Sequence, residues 1–351
     1  MDLKNFCKRA GATLLAAAVG ATLLAGCGGS GKDSINVLTY EGYFPDNVVQ
    51  KFTEETGIKW QFTAASSNEE MYDKLRTSPD LYDIVLCGDY MLDTMIQSDM
   101  LLKLDKSKVT NYGNLDPAFM SKYYDPSNEY TVPYAAGSPV LIWNPDASPA
   151  LSSFSDLWDA SLADKVVLLD DIRVIQGFTA QSLGYDLNET DAQKLEEVKN
   201  QLIKLKPNIK LFDSNTPHNA LISGDAAAGF MFCSQAATAL AENPDLQIAF
   251  PSEGAGFGID CIAIPAAAPN VDNAYAFLNF ILEGENSAMA SEGIYYISCN
   301  QAADAYLSDA FKNNEAVYPP AGVMEKAQFI LSLDDATTQI YTDNWTAFKN
   351  S

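Results

Sequence analysis

An α/β fold with two doubly wound sheets is the class that the sequence predicts, and three observations support it. Short apolar segments alternate with amphipathic helical segments over residues 35–99. The same alternation resumes at Val166 and continues to residue 282. Residues 27–351 are also too many for one typical hydrophobic core. Because strand–helix alternation builds largely parallel sheets with helices on both faces, we expect two such units.

The first unit carries clear signals for where its helices begin and end. Pro45 suits the first turn of a helix, and Gly57 suits the residue that follows the last turn. Ser67 or Asn68 can cap the second helix. The predicted strands are 35–40, 60–64 and 83–87, and the predicted helices are 45–57, 67–77 and 90–99.

The second unit begins with an apolar strand that ends in two acidic residues, Asp170 and Asp171. Apolar alternation and turn residues define the segments that follow it. The predicted strands are 166–169, 227–232, 247–250 and 259–264, and the predicted helices are 174–183, 191–206 and 271–282. From about residue 320 onward we expect mainly helix.

The N-terminus has the pattern of a secretory signal. Lys4, Lys8 and Arg9 form a short basic start, and an apolar run of residues 10–25 follows. This run is short for a membrane-spanning helix, which needs roughly 20 residues. A basic start, a short apolar run and small residues before the cut are typical of a signal peptide. We therefore predict that residues 1–26 are removed on export.

The end of this signal resembles the lipobox of bacterial lipoproteins. The residues are Leu24-Ala25-Gly26-Cys27, and the resemblance implies that the Cys27 thiol takes a diacylglycerol. The alternative is an ordinary signal peptide with a chance cysteine. Residues 27–34 are rich in Gly and Ser and suit a flexible tether. We expect an extracytoplasmic protein that touches the membrane only through its lipid, in the periplasmic space or at the outer face of the cytoplasmic membrane.

The charge balance excludes several classes of partner and chemistry. The chain has 46 acidic and 22 basic residues and a net charge of −24, so it repels nucleic acid and anionic lipid.

His218 is the single histidine, which makes a histidine-based metal site or a Ser-His-Asp triad poorly supported. Asp170 and Asp171 are adjacent on a strand and point to opposite faces, so they do not converge as an acid–base pair. We expect a monomer that is not an enzyme and has no cofactor or metal.

Four cysteines follow Cys27, and their pairing is open from sequence. They are Cys87, Cys233, Cys261 and Cys299. Export permits disulfides, and four cysteines allow three pairings. Each cysteine sits beside a predicted strand end, where a small buried hydrophobe is common. We favour four buried thiols over one or two disulfides.

Acidic and aromatic residues recur just past the predicted strands. In open α/β sheets, ligands bind outside the carboxyl ends of the strands. Each such residue alone is equally compatible with a turn, a helix cap or the core, so the recurrence carries the interpretation. The residues at these ends are Tyr40, Glu41, Asp89, Tyr90, Asp170, Asp171, Phe232 and Asp260.

A series of segments, in order along the chain from residue 40, resembles the spermidine/putrescine-binding proteins of bacterial ABC importers. The clearest are YEGYFP (40–45), DDIR (170–173), PSEG (251–254) and AYAFLNF (274–280). Shorter counterparts occur at 52–59, 67–69, 82–85, 104–108, 114–117, 132–134, 205–208, 300–303 and 318–320. No single segment is specific, but the ordered series covers essentially the whole exported part.

The resemblance implies a two-lobed periplasmic-binding-protein fold of type II, with a hinge that the chain crosses twice. Lobe 1 would hold residues 35–138 and 260–304, and lobe 2 would hold 139–259 and 305–351. The lobes would close on a polyamine and deliver it to an ABC permease and ATPase complex. The alternative is the same fold acting as a ligand sensor for a membrane receptor.

A polyamine is a string of ammonium groups and methylenes, so its site needs carboxylates and aromatic walls. The resemblance carries a binding set over to this chain position by position. The set is Tyr40, Glu41, Tyr43, Asp89, Tyr90, Asp171, Phe232, Gln235, Asp260 and Tyr296, with Tyr295 as the alternative to Tyr296.

Several positions depart from the family pattern and leave the exact ligand open. Val174 stands where a second acid is usual, and Gln235 stands where putrescine-selective relatives have Asp. Phe232 and Gly258 each replace a Trp, and Gly88 replaces a Ser. The altered walls also fit another small cation, or a solute that is not a polyamine.

Overall fold

The computed structural model describes residues 33–351. The predicted signal peptide 1–26, the lipidation site Cys27 and the tether up to residue 32 lie outside the described residues. The tether was predicted to extend to residue 34, but Ser34 already begins the first strand. Ser34 is itself buried in that strand, so its side chain belongs to the folded unit.

Twelve strands and twelve α-helices form within the described residues. The strands are β1 Ser34–Thr39, β2 Lys59–Ala64, β3 Ile84–Gly88, β4 Thr131–Gly137, β5 Pro139–Trp143, β6 Val166–Leu168, β7 Ile209–Phe212, β8 Ala228–Phe232, β9 Gln247–Ala249, β10 Gly256–Ala263, β11 Ile297–Ser298 and β12 Gln328–Phe329. The helices are α1 Asp46–Thr56, α2 Asn68–Thr77, α3 Asp89–Gln97, α4 Ile172–Ser182, α5 Ala192–Leu205, α6 His218–Ile222, α7 Cys233–Glu242, α8 Val271–Ile281, α9 Gly284–Ile294, α10 Asp309–Lys312, α11 Ala321–Met324 and α12 Asp335–Lys349.

The strands form two separate sheets, which confirms the predicted α/β class with two sheets. The first sheet has the order β11–β4–β10–β3–β1–β2, and β12 pairs with β10. The second has the order β7–β6–β8–β5–β9. Both sheets are mixed: β1 lies parallel to β2 and β3, whereas β10 runs antiparallel to β3 and β4.

The helix boundaries follow the local signals in the sequence. Gly57 ends α1 with a left-handed φ of 72°. The Ser67 hydroxyl accepts a hydrogen bond from the Glu70 amide and so caps α2. Asp171 caps α4 in the same way, through the amides of Arg173 and Val174.

Each sheet has its own hydrophobic core. In the second sheet, the ring of Phe230 lies 4.8 Å from that of Phe154 and 4.7 Å from that of Phe178, measured between centroids. In the first sheet, Phe277 packs 5.2 Å from both Phe44 and Phe52. A separate main core for each sheet is typical of separately packed units.

The chain passes between the sheets at three places. Ser138 alone separates β4 of the first sheet from β5 of the second. Residues 250–255 lead from β9 back to β10. The pairing of β12 with β10 adds a third passage, because α12, which follows it, packs on the second unit. The resemblance implied a hinge crossed twice, and its lobe bounds also placed a return to lobe 2 after residue 304. The pairing of β12, which lies in that last segment, with the first sheet gave no signal in the sequence.

The predicted second boundary between the lobes, at residue 260, falls inside β10. This strand joins the first sheet from Gly256 onward. Gly256 and Gly258 carry no side chains, so the apolar alternation in the sequence becomes visible only at Ile259. No helix among residues 33–351 is both long enough and apolar enough to cross a membrane.

Candidate ligand-binding site

Asp260 lies in the middle of β10, where that strand pairs with Gly88 on one side and Ala135 on the other. Its carboxylate accepts a hydrogen bond from the phenol of Tyr43. Burial raises the pKa of Asp260 to about 6, and the hydrogen bond from Tyr43 acts in the opposite direction. The site therefore holds a desolvated carboxylate that ionises near neutral pH.

Aromatic rings surround this carboxylate. The ring of Tyr43 lies 5.4 Å from that of Tyr40, 5.7 Å from that of Tyr296 and 6.1 Å from that of Tyr134. The structure thus brings together Tyr40, Tyr43, Tyr296 and Asp260 from the predicted set. Tyr295, the alternative to Tyr296, packs its ring against Phe311 instead. Aromatic faces attract cations and also pack against methylene groups.

Asn68 connects this tyrosine cluster to helix α3, and it was missed as a site residue. Its Oδ1 accepts hydrogen bonds from the Tyr40 phenol at 2.7 Å and from the Gly88 amide at 2.9 Å. Its Nδ2 donates to the Tyr90 phenol at 3.0 Å. The Tyr90 phenol in turn donates to Glu69 Oε1 at 3.0 Å. In the sequence, Asn68 was indistinguishable from a helix cap, so no signal marked this role.

Asp171 approaches the site from the second sheet, at the N-terminus of α4. Its Oδ1 accepts hydrogen bonds from the amides of Arg173 at 2.9 Å and Val174 at 2.8 Å. Burial raises the pKa of Asp171 to about 6, although these two bonds lower it. Among the described residues no hydrogen bond reaches its Oδ2, so that oxygen can accept one from a ligand. Asp170 instead forms an exposed ion pair with Lys349 at 2.7 Å.

Asp89 lies next to the cluster, but its carboxylate is bound to the backbone. One oxygen accepts a hydrogen bond from the Tyr90 amide at 2.7 Å, and the other accepts one from the Ile259 amide at 3.2 Å. The residue is 2% exposed, and burial raises its pKa to about 8. The structure therefore gives Asp89 the role of holding β10 against α3, beside Asp260.

Gln235 also uses its polar atoms within its own unit. Its Nε2 donates to the Ser214 carbonyl at 2.7 Å, and its Oε1 accepts a hydrogen bond from the Phe232 amide at 3.1 Å. Phe232 packs against the cores of both sheets and so lies between them. The Ser214 hydroxyl is buried without a hydrogen-bond partner, and sequence reasoning did not single it out.

Glu41 lies apart from the tyrosine cluster, and the positions that depart from the family pattern add no charge to it. Glu41 is exposed in the turn after β1, and no hydrogen bond or ion pair joins it to any described residue. The structure therefore does not bring it into the cluster. A Cβ added to Gly258 would meet nothing within 4 Å, so this stretch of β10 borders open space. Val174, in the first turn of α4, is buried and carries no charge.

The described residues contain no group of three or more His, Cys, Asp or Glu side chains that could hold a metal ion.

The four cysteines are free, buried thiols, which confirms the interpretation favoured from the sequence: Cys87, Cys233, Cys261 and Cys299. Burial raises the pKa of each thiol. What the site offers is the Asp260 carboxylate among tyrosine rings, with the Asp171 carboxylate at the start of α4 in the second unit. Carboxylates and aromatic faces suit a small cation.

Comparison with known proteins gives consistent matches. Residues 47–319 match the family of bacterial extracellular solute-binding proteins. The spermidine/putrescine-binding periplasmic protein of Salmonella typhimurium is 34% identical over 339 residues, which are 96% of this chain and 97% of that protein.

Two solved structures are similar in fold and sequence. The spermidine/putrescine ABC transporter substrate-binding protein PotD of Streptococcus pneumoniae has a TM-score of 0.78 and 32% identity, over 91% of this chain and 99% of that one. The TpPotD lipoprotein of Treponema pallidum has a TM-score of 0.81 and 26% identity, over 90% of this chain and 99% of that one.

These matches confirm the resemblance stated from the sequence and the periplasmic-binding-protein fold that it implied. The family and its relatives are binding proteins, which confirms that the chain is not an enzyme. The family's extracellular character agrees with the predicted location outside the cytoplasm. The chain belongs to the family of bacterial extracellular solute-binding proteins.

Proposed function

We propose that this chain captures a polyamine of the putrescine/spermidine class for an ABC importer and hands it to the permease and ATPase complex. The observation that carries the proposal is the Asp260 carboxylate, held by the Tyr43 phenol among tyrosine rings. The names of the relatives, which bind spermidine or putrescine, favour this ligand class. With the second boundary moved to the start of β10, the lobes would be residues 35–138 with 256–304 and residues 139–255 with 305–351. The chain would act as a monomer.

The chemistry of the ligand matches the chemistry of the site. A buried ammonium group without a partner is strongly unfavourable, so each one needs a carboxylate. Asp260 supplies one carboxylate from the first sheet, and Asp171 supplies one from the second. The methylenes between the amines then lie against the rings of Tyr40, Tyr43 and Tyr296. Where an ammonium group also meets the face of one of these rings, the cation–aromatic contact contributes about 0.5–2 kcal/mol to binding.

A thermal-shift titration tests the ligand class directly. The protein to be titrated consists of residues 28–351. We expect putrescine and spermidine to raise its free energy of unfolding by about 2.7 kcal/mol when the ligand concentration is 100 times the dissociation constant. Basic amino acids and quaternary amines serve as comparison ligands. Stabilisation by one of these and by neither polyamine would contradict the proposal.

The cleft favours a diamine over the triamine spermidine. Val174 takes the place of an acid, and its buried side chain can only pack against methylenes. A third ammonium group at that point would be desolvated without a partner, at a cost of several kcal/mol. Calorimetric titrations with putrescine and spermidine at one ionic strength decide this point. Spermidine binding tenfold tighter than putrescine would show that another acid, such as Glu41 after a movement of its turn, meets the third charge.

Lipid attachment at Cys27 would hold the receptor beside its permease. The Leu24-to-Cys27 ending supports this, and one structural relative is itself a lipoprotein. We expect Cys27→Ala to abolish acylation and either release the protein or leave the signal uncleaved. Mass spectrometry of the mature N-terminus measures this, and unchanged acylation and membrane partitioning would contradict it.

A further inference from the structure

Arg173 places a buried cation between the two units, and no part of the proposed ligand chemistry uses it. It lies in the first turn of α4, on the second sheet, and is 8% exposed. Its guanidinium carbon lies 5.7 Å from the ring centroid of Tyr90, which belongs to α3 on the first sheet. The same carbon lies 5.1 Å from the ring centroid of Tyr341 in α12. One guanidinium therefore contacts aromatic rings from both units.

The guanidinium also has a hydrogen-bond partner that involves neither Tyr90 nor α3. Its Nη2 donates to Asn188 Oδ1 at 3.3 Å. That oxygen also accepts a hydrogen bond from the Leu331 amide at 2.8 Å, and Asn188 Nδ2 donates to the Phe329 carbonyl at 2.9 Å. Asn188 thus ties Arg173 to the third passage between the sheets. The hydrogen bond from Arg173 to Asn188 does not depend on Tyr90.

The ring of Tyr90 is tied to the binding cluster on the other side. Its phenol accepts from Asn68 and donates to Glu69, and Asn68 also binds the Tyr40 phenol next to Asp260. If the units separate, the contact between Arg173 and Tyr90 breaks, whereas that between Arg173 and Tyr341 persists. The energy of the Arg173–Tyr90 contact is therefore available only in the closed arrangement.

We propose that Arg173 is a positioning residue that stabilises the closed cleft through the face of Tyr90, without touching the ligand. The inference rests on the proposed function, in which the cleft closes on a polyamine. Removing the contact lowers the population of the closed form, so the ligand leaves faster while its association is little changed. A cation–aromatic contact of a strength between the exposed and the fully desolvated limits corresponds to an affinity change of about five- to tenfold.

A double-mutant cycle in putrescine binding tests the contact. Arg173→Gln removes the charge, Tyr90→Leu removes the ring, and Tyr90→Phe keeps the ring while removing the hydroxyl. We expect Arg173→Gln and Tyr90→Leu each to raise the dissociation rate about five- to tenfold, and the double variant to be no worse than the poorer single one. Tyr90→Phe should keep its coupling to Arg173, and Arg173→Lys should retain part of the effect. Effects that multiply in the double variant would overturn the proposal.

A measurement without ligand separates this inference from the proposed function. Small-angle X-ray scattering of the empty protein should give a larger radius of gyration for Arg173→Gln than for the unchanged chain, with the same far-ultraviolet circular dichroism. If the unchanged chain binds no polyamine, the proposed function fails and the scattering still decides the role of Arg173. An unaltered radius together with an unaltered dissociation rate would overturn that role.

Discussion

The phenol of Tyr43 donates a hydrogen bond to the carboxylate of Asp260 across 217 positions of sequence. The two side chains come from the turn after β1 and from the middle of β10, strands that lie on either side of β3. This bond favours the ionised form of the carboxylate and so opposes burial, and with both effects present the pKa of Asp260 is raised to about 6. The state of Asp260 therefore changes within the pH range in which binding can be measured.

Cation binding should weaken in mild acid. Asp260 and Asp171 both have pKa values raised by burial to about 6, and an ammonium ligand pairs with their ionised forms. We expect the putrescine affinity to be constant above about pH 7 and to fall as the pH drops through 6. Isothermal titration calorimetry from pH 5 to pH 8 checks this. An affinity that is independent of pH over this range would contradict it.

The stability of the empty protein should respond in the opposite sense. A carboxyl group whose pKa is higher in the folded than in the unfolded chain favours folding while it is protonated, and this contribution is lost as the pH rises through the folded pKa. For Asp260 and Asp171 this contribution is lost between about pH 4 and pH 6, and for Asp89 it is lost between about pH 4 and pH 8. We expect the part of the pH-dependent unfolding free energy due to Asp260 to vanish in Asp260→Asn. Denaturant unfolding of both proteins at pH 5 and pH 8 measures this difference.

Tyr43→Phe should shift the pH dependence of binding. The substitution keeps the ring and removes the hydrogen bond that lowers the pKa of Asp260. We expect the pH at which putrescine binding is half lost to rise relative to that of the unchanged chain. Tyr134→Phe is the matched control, because its phenol donates to the Tyr43 carbonyl at 3.0 Å and not to a carboxylate. Equal midpoints for Tyr43→Phe and Tyr134→Phe would rule out this role of the Tyr43 hydroxyl.

Asp89→Ala should act on stability more than on binding. It leaves the Ile259 amide without its acceptor, and an unpaired buried amide costs about 1–3 kcal/mol. We expect urea unfolding to register a loss of this size, with putrescine affinity changed less than tenfold. The control is Asp73→Ala, which removes only an exposed ion pair with Arg76. A loss of affinity above 100-fold with unchanged stability would make Asp89 a ligand residue after all.

The sequence indicated the strands, the helices and the main carboxylate, but not what each acidic side chain binds. Asp89, Asp171 and Asp260 all follow or lie within predicted strands, and sequence pattern treats them alike. Their roles differ because their hydrogen-bond partners differ. Asp89 accepts hydrogen bonds from backbone amides with both oxygens, Asp171 caps a helix with one oxygen, and Asp260 accepts a hydrogen bond from a phenol. These partners lie on other elements, so only the assembled fold specifies them.

Asn68 and Glu41 show that sequence spacing does not predict the direction of a side chain. Asn68 belongs to the cluster and was not predicted, whereas Glu41 was predicted and lies outside it. Asn68 matched a helix cap, yet Ser67 takes that position and frees the Asn68 side chain to join three groups. Glu41 matched a strand-end acid, yet the turn that follows leaves it in solvent. Local spacing predicts where a residue lies along an element, whereas the direction of the side chain depends on neighbours that are distant in sequence.

The most direct test of the site is a putrescine titration of Asp260→Asn beside Asp170→Asn. Asp260→Asn keeps the shape of the side chain but leaves a buried ammonium without its anion, which typically costs 3–5 kcal/mol. Asp170→Asn removes a carboxylate that is exposed and paired with Lys349. We expect calorimetry to give an affinity at least 100-fold weaker for Asp260→Asn, with the fold intact, and an affinity unchanged within about twofold for Asp170→Asn. A change of less than fivefold in Asp260→Asn would remove Asp260 from the site and contradict the proposed mode of cation binding.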